Sequence, residues 1–550
     1  MADPALPADV APPAVPRPAA TVVLLRDAHP GVEVLMLRRV ERAGDRSSGA
    51  YVFPGGTLDA ADAAAAPWCD GPDDAAASRR LGLASGGLAF LAAAIRECFE
   101  EAGVLLACDA GGQPVTVEAD ATDRWLALRA GLRAGAIDLP ALCRTLGVRL
   151  AAGRLAYHSH WITPAGLPKR FDTRFFIAEM PAGQTAALNS DETQEHRWIR
   201  PVEALDADNG LRLPTPTRRT LEHIAGFAST AECLAHARGL RDIPTILPML
   251  ADGPRGLQPV PPHDPAYAEV RRIDPHGRGL ARHAIEPGRC VVLSPRIRRV
   301  TAPNAGPMTG PGTNTYLVAD PHGTGCAVID PGPADERHVD AILAAAPGPV
   351  RWILVTHTHA DHSPAAAALK ARTAAPCVGM RALHAEGQDA AFVPDRVLAH
   401  GDALALGPRT TLRAVHTPGH ASNHLCYLLP EERTLFTGDH VMQGSTVVIN
   451  PPDGDMAEYM RSLDALLAMD LEWLAPGHGF LIAEPREAIE RLIRHRRARE
   501  AKVVRALAEG HEDLDDLLQR VYDDVPAALH PVARRSLLAH VLALRAAGRG

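Results

Sequence analysis

The chain has 550 residues, of which 46% are hydrophobic and 22% charged, with a formal net charge of -8. That length exceeds one ordinary core and predicts about two to four domains, while the mildly acidic balance gives no global attraction to nucleic acid. No stretch has the roughly 18 consecutive apolar residues of a membrane span, and nine scattered cysteines without a CxxC pair predict reduced thiols in a cytoplasm.

Residues 1–19 are rich in Ala and Pro, lack the basic and apolar regions of a signal peptide, and are expected to form a flexible lead. Ala20 to Leu25 and Glu33 to Arg38 read as strands separated by a polar turn. Tyr51 to Pro54 reads as a third, ending in Gly55-Gly56, where the backbone can bend sharply or approach a ligand closely. Ala89 to Ala102 has helical periodicity and stops at Gly103. On it Glu97, Glu100 and Glu101 are spaced i, i+3 and i+4, so their carboxylates share one face beside Arg96. Like charges so placed repel unless a cation sits among them; the plainer alternative is a solvated acidic stripe.

The run Arg96-Glu97-Cys98-Phe99-Glu100-Glu101-Ala102-Gly103-Val104, after a strand ending in two glycines, resembles the Nudix box of nucleoside-diphosphate-X hydrolases. The resemblance implies an α/β/α sandwich and a Mg2+ or Mn2+ ion held by Glu97, Glu100 and Glu101. It further implies that Glu100 and Glu101 are catalytic and that Gly55, Gly56 and Arg96 help bind the cofactor. Relative to the compact box, 26 residues are inserted between Gly56 and Arg96, and Asp62 stands where the first box glutamate would be. The insertion, Leu35 to Arg39 with Gly49 to Gly56, and Lys169 to Phe176 resemble the coenzyme A diphosphatase branch. In such enzymes the base is often a glutamate outside the box, which makes Glu192 and Glu195 candidates, with an exposed acidic turn as the alternative.

Leu126 to Arg133 and Ala141 to Leu146 read as helices interrupted at Pro140, Arg174 to Glu179 and Arg197 to Ile199 as strands, and Pro216 to Arg238 as one closing amphipathic helix. Five prolines and two glycines between Asp252 and Tyr267 predict a linker. Farther on, Ala327 to Ile329 is a strand ending in Asp330-Pro331-Gly332, Ala334 to Ala346 a helix, and Val350 to Val355 a buried strand. The last leads into Thr356-His357-Thr358-His359-Ala360-Asp361-His362, with four metal-binding side chains in six positions. His357 and His359 point the same way from an extended turn, and Asp361 and His362 can serve a second ion nearby. His420, Asp439 and His478 each follow an apolar segment, where a strand-end loop would present them to the same face. Any one of these histidines alone reads as a surface or core residue; together they predict a metal centre.

This ordered set resembles the metallo-beta-lactamase superfamily. The resemblance implies an αββα sandwich in which His357, His359 and His420 hold one Zn2+, Asp361, His362 and His478 hold another, and Asp439 bridges, with Asp361 also catalytic. Two such ions lower the pKa of a bridging water toward about 7, which implies hydrolysis. With Gly444-Ser445-Thr446, the region resembles the lactamase-like branch that contains single-strand endoribonucleases. Pro485 to Leu507 is a long helix with eight basic residues against three acidic ones between positions 486 and 505. With helices at Asp513 to Tyr522 and Val532 to Ala546, it resembles that branch's winged-helix module. RNA contact through Arg494, Arg497 and Lys502 and a merely solvated face are both open.

The expected organisation is multidomain, α/β and α+β: a flexible lead at 1–19, a Nudix domain at 20–240, a linker at 241–285, a metallo-beta-lactamase-fold domain at 286–484 and a winged-helix-like tail at 485–550. The expected protein is a cytoplasmic two-site hydrolase without a membrane segment. It would act on a small-molecule nucleotide or acyl-coenzyme A. The alternatives are an endoribonuclease, and a Nudix half that only senses a nucleotide, motivated by Asp62.

Overall fold

The strand Arg17–Asp27 organises the first part of the chain, and its run of apolar residues explains why. Val22 and Leu24 point into one core and Val23 and Leu25 into another, so the strand is buried on both faces. It pairs in parallel with Phe171–Glu179 and antiparallel with Val32–Arg39 and Gly55–Thr57, within a sheet of eight strands. One face is covered by the helix Gly87–Ala102 through Ala92, Ile95 and Phe99. The other is covered by Leu221 and Ile224 of Thr215–Ile224 and Leu234 of Thr230–Gly239. The coordinates are a computed structural model describing residues 13–41, 48–117, 122–187, 193–254, 256–323 and 325–549. The chain divides into two units, Met1–Met249 and Leu250–Gly550.

Two expectations change in the first unit, and a third where the second begins. The glycine pair is no mere bend: Gly55–Thr57 is itself a strand beside Ala19 to Thr21. A Cβ at Gly56 would lie 2.3 Å from Glu97 Oε1, so the glycine lets the sheet edge approach a box carboxylate. The single closing helix is two, because Ser229 accepts from the Glu232 amide and starts a new helix after Gly226. The stretch expected as a linker carries a hairpin, Met249–Gly253 with Gly256–Val260, and the helix Tyr267–Ile273. Glu269 on that helix is buried against Arg299 in a bidentate ion pair of 2.6 and 2.8 Å, so it is part of the second unit.

The second unit is a layered αββα sandwich. A seven-stranded sheet contributes Ile297, Val318, Ile329 and Leu354 to the central core, and a six-stranded sheet contributes Leu412, Leu425, Tyr427 and Phe436. Helices Glu336–Ala345 and Ala365–Thr373 cover the first sheet outside, and Met456–Leu467 covers the second. The 24-residue helix Pro485–Ala508 is shared between two cores. Ile489 and Ile493 pack under the second sheet, whereas Val503 and Ala506 join Leu517, Leu537 and Leu544 of the terminal helices. The boundary expected at 485 therefore falls within a continuous packing unit. Among the described residues, no helix is long and apolar enough to cross a membrane.

Candidate functional site

The strand Val350–Leu354 ends where its buried run meets Thr356, and the chain then turns through the histidine cluster. Two groups of donors form there: His357, His359 and His420, and Asp361, His362, Asp439 and His478, each with ligand atoms within 4.8 Å of one another. His359 Nδ1 faces His420 Nε2 at 3.0 Å. Asp439 touches both groups. Its Oδ1 lies 3.4 Å from His362 Nε2 and 3.3 Å from His478 Nε2, and its Oδ2 lies 3.8 Å from His420 Nε2. Asp361 Oδ2 lies 3.4 and 3.3 Å from the same two imidazoles. A Cβ at Gly477 would stand 2.7 Å from Asp439 Oδ1, so only glycine leaves room for this approach.

On four of the five rings the other nitrogen meets a protein group, which fixes the ring. His362 Nδ1 meets Asp330 Oδ2 at 2.9 Å, His357 Nδ1 meets Thr356 Oγ1 at 3.0 Å, and His420 Nδ1 meets the Val448 carbonyl at 2.7 Å. His478 Nδ1 meets the Gly312 carbonyl at 3.2 Å. The inward atoms His357 Nε2, His362 Nε2, His478 Nε2 and Asp439 Oδ1 are buried without a hydrogen-bond partner. Buried imidazoles and carboxylates converging with such atoms fit divalent ions.

Electrostatics follow the same division. Burial and the surrounding imidazoles hold His357 well below its ordinary value, and burial brings His359 down to about 3. Burial pulls against protonation of His362 and His478 too, but carboxylates outweigh it. Asp361, Asp439 and Asp330 hold His362 well above its ordinary value, and Asp439 and Asp361 push His478 up to about 9. The two-carboxylate group thus calls for positive charge. Asp330, buried with φ 50 at the end of Cys326–Ile329, also accepts from the Thr356 amide and hydroxyl. Its role was not anticipated; the available signal was an acidic residue closing a wholly apolar strand.

On the helix Gly87–Ala102, Arg96 is the hub. Its Nε donates to Asp62 Oδ1 at 2.8 Å, and its Nη2 to Asp62 Oδ2 at 3.1 Å and the Thr57 carbonyl at 2.9 Å. Its Nη1 reaches Glu97 at 2.9 Å and Glu100 at 3.4 Å, while Glu101 accepts from the Gly55 amide at 2.9 Å. Asp62 is fully buried, so the residue standing for the first box glutamate serves as an internal ion-pair partner. Burial raises Glu97 to about 7 against the pull of Arg96. A cavity of about 550 Å³ beside this face is lined by Asp62, Arg96, Glu100, Arg133 and Arg144.

Glu195 is not part of this assembly. Its carboxylate accepts from Tyr51 Oη at 2.9 Å and pairs with Arg197. Its partner Tyr51, and Ile199 four residues farther along its own strand and so on the same face, belong to the core opposite the one packed by Gly87–Ala102. Strand parity therefore turns Glu195 away from the box helix. Glu192 lies outside the described residues. The basic stripe also differs from a free surface. Arg496 and Arg499 are buried, and Arg486, Arg491, Arg494, Arg497 and Lys502 each lie within 4.0 Å of a carboxylate.

These two folds, each with its own set of acidic or imidazole donors, define a hydrolase. Residues 308–478 match the metallo-beta-lactamase superfamily, residues 74–211 the NUDT19 Nudix domain and residues 514–549 the beta-lactamase associated winged helix domain. The lactamase-like protein aptB of Emericella nidulans is 32% identical over 44% of this chain and 79% of its own length. The atrochrysone carboxyl ACP thioesterase of Aspergillus fumigatus is 31% identical over 43% of this chain and 76% of its own. A solved NUDIX hydrolase from Alicyclobacillus acidocaldarius is 26% identical, covering 40% of this chain and 96% of that one at a TM-score of 0.34. The chain belongs to the metallo-beta-lactamase superfamily, carrying in addition a Nudix domain of the NUDT19 type.

Proposed function

We propose that the second unit hydrolyses a thioester joining an acyl group to a pantetheine-type thiol, of coenzyme A or a carrier protein. The first unit cleaves the diphosphate of a coenzyme A-type nucleotide. The observation that carries the first half is the pair of donor groups sharing Asp439, with buried inward atoms that lack partners. His357, His359 and His420 would hold one ion and Asp361, His362 and His478 the other, and imidazole with carboxylate suits zinc. Bound ions of this kind supply an activated water and hold the negative charge that develops on the carbonyl oxygen.

The chain's own residues do the rest. Asp330, Thr356 and the carbonyls of Val448 and Gly312 lock the imidazoles with one nitrogen inward. Asp361, more exposed than Asp439, would take the proton of the attacking water and deliver it to the departing sulfur. Water thereby adds to the acyl carbon, the carbon–sulfur bond breaks, and a carboxylic acid and a thiol leave. The likeness to a protein named as a carrier-protein thioesterase supports the thioester over other acyl bonds.

For the first unit, Glu97, Glu100 and Glu101 would hold magnesium or manganese, hard ions that prefer carboxylate oxygen. Arg133 and Arg144 line the adjoining cavity, which suits a diphosphate. The experiment is hydrolysis of an acyl-coenzyme A, a coenzyme A diphosphate bond and single-stranded RNA by one preparation, with His359→Ala as the blank. Thioester turnover lost in the blank supports the proposal. RNA cutting that falls with salt, is lost in the blank and comes without thioester turnover contradicts it.

A further inference from the structure

The terminal helices reach the metal-site loops through one buried cation. Arg496, on the basic helix Pro485–Ala508, is 3% exposed. Its Nη2 donates to the carbonyl of Val447. The next carbonyl, that of Val448, accepts from His420 Nδ1 at 2.7 Å. The next amide, that of Ile449, donates to Ser536 Oγ at 3.2 Å, and Ser536 belongs to the last helix, His530–Ala546. Three consecutive residues thus face two tail helices and His420 together.

The same guanidinium lies over the Tyr459 ring, 5.4 Å from its centroid. Tyr459 Oη donates to the carbonyl of His440 at 2.9 Å, and His440 follows Asp439. The Tyr459 backbone also fills the space beside Gly419, where a Cβ would lie 2.3 Å from Tyr459 Cα. Through Val447 and Tyr459, Arg496 therefore backs the segments that carry His420 and Asp439, one from each donor group and the second common to both. A carbonyl that fixes an imidazole tautomer must itself be fixed, because a ring free to rotate presents its inward nitrogen only part of the time.

We propose that Arg496 and Ser536 are positioning residues of the metal centre, and that the terminal helices serve to hold the Val447 to Ile449 segment against His420. The inference rests on the reading of His420 and Asp439 as metal ligands. Loss of a group bonded directly to a ligating imidazole costs about 10- to 100-fold in metal affinity, which sets the scale for groups that hold the Val448 carbonyl in place.

The test uses full-length protein carrying Arg496→Met, Arg496→Lys, Ser536→Ala, Arg499→Met or His420→Ala. Zinc affinity is measured by competition with a chromophoric chelator, and the cobalt-substituted protein is examined for its visible ligand-field spectrum. Arg499 is the control. It is buried on the same helix and bonded to Val521 and Asp524, so its replacement removes an equivalent cation without touching Val447 to Ile449 or the ligand loops. Arg496→Met and Ser536→Ala should each weaken zinc about 10- to 100-fold and alter the cobalt spectrum, Arg496→Lys should recover part of the loss, and Arg499→Met should do neither. Should Arg496→Met fail to fold, Ser536→Ala carries the comparison. Wild-type affinity and spectrum in Ser536→Ala, or equal losses in Arg499→Met, overturn the inference if His420→Ala has lost zinc. Full zinc binding by His420→Ala instead overturns the ligand reading beneath it.

Discussion

At the end of the strand Val350–Leu354 seven donor side chains converge on one another, whereas on the helix Gly87–Ala102 three glutamates are divided between Arg96 and the Gly55 amide. Both assemblies bury carboxylate, but they balance it differently. In the second unit Asp361 and Asp439 face the imidazoles of His362 and His478 and push their pKa values up, and among the described residues neither carboxylate pairs with an arginine. In the first, Arg96 is a built-in cation with its own buried partner, Asp62. The contrast teaches that a site whose charge is already balanced inside the protein is a shelf onto which an ion is added. A site whose carboxylates face only imidazoles is one the ion itself completes.

The largest effect that would break this contrast is expected at the shared carboxylate. Asp439→Ala should slow thioester hydrolysis by about 10³-fold or more, because it disturbs both donor groups and several kcal/mol of charge stabilisation. A loss under tenfold would mean that Asp439 is not common to both. Next is Arg96→Met, which leaves Asp62 buried and unpaired and should destabilise the first unit by about 3–5 kcal/mol in urea unfolding. A smaller loss in the double variant Arg96→Met, Asp62→Leu would assign the cost to the stranded charge, whereas an equal or larger one would not.

A third expectation separates the two sites chemically. Glu100→Gln should lower magnesium-dependent diphosphate cleavage about 100-fold while leaving thioester turnover within twofold of wild type, since a neutral amide is a poorer ligand of a hard ion. Parallel losses in both reactions would contradict independent sites. The smallest effect concerns acid stability of the first unit. His158 is buried beside His223 and His236, and burial first, then those two imidazoles, brings its pKa down to about 3. The unfolded chain therefore binds a proton below about pH 6.5 that the native chain refuses until about pH 3, so stability is full above pH 6.5 and falls as pH drops through that window. His158→Phe should remove about 2 kcal/mol of the loss between pH 7 and pH 5, read as the change in urea midpoint between the two pH values. An unchanged pH dependence would show that His158 is not the group responsible.

Much of the fold was legible because its signals are local. The run around Val22 to Leu25 reads as a strand, and the spacing of His357, His359, Asp361 and His362 has little use except a metal. What stayed hidden depended on which side of an element a residue faces. Glu195 shares a strand with Trp198 but points with Ile199, to the far core, and sequence alone does not set that parity. Arg496 was read as one of a basic stripe. Its spacing of three from Ile493 and seven from Ile489 places it on the apolar face that continues to Val503, a pattern masked by its charge. Asp330 and Asp62 were hidden for the same reason: a buried acid is recognised by its partners, and those lie far away in sequence.

The most direct test of the account counts metal per chain, by elemental analysis after dialysis, in wild type and in His420→Ala, His478→Ala and Asp439→Ala. The account predicts about two ions in wild type, about one in each histidine variant, and weakened binding of both in Asp439→Ala. Retention of the wild-type count in all three variants would contradict it.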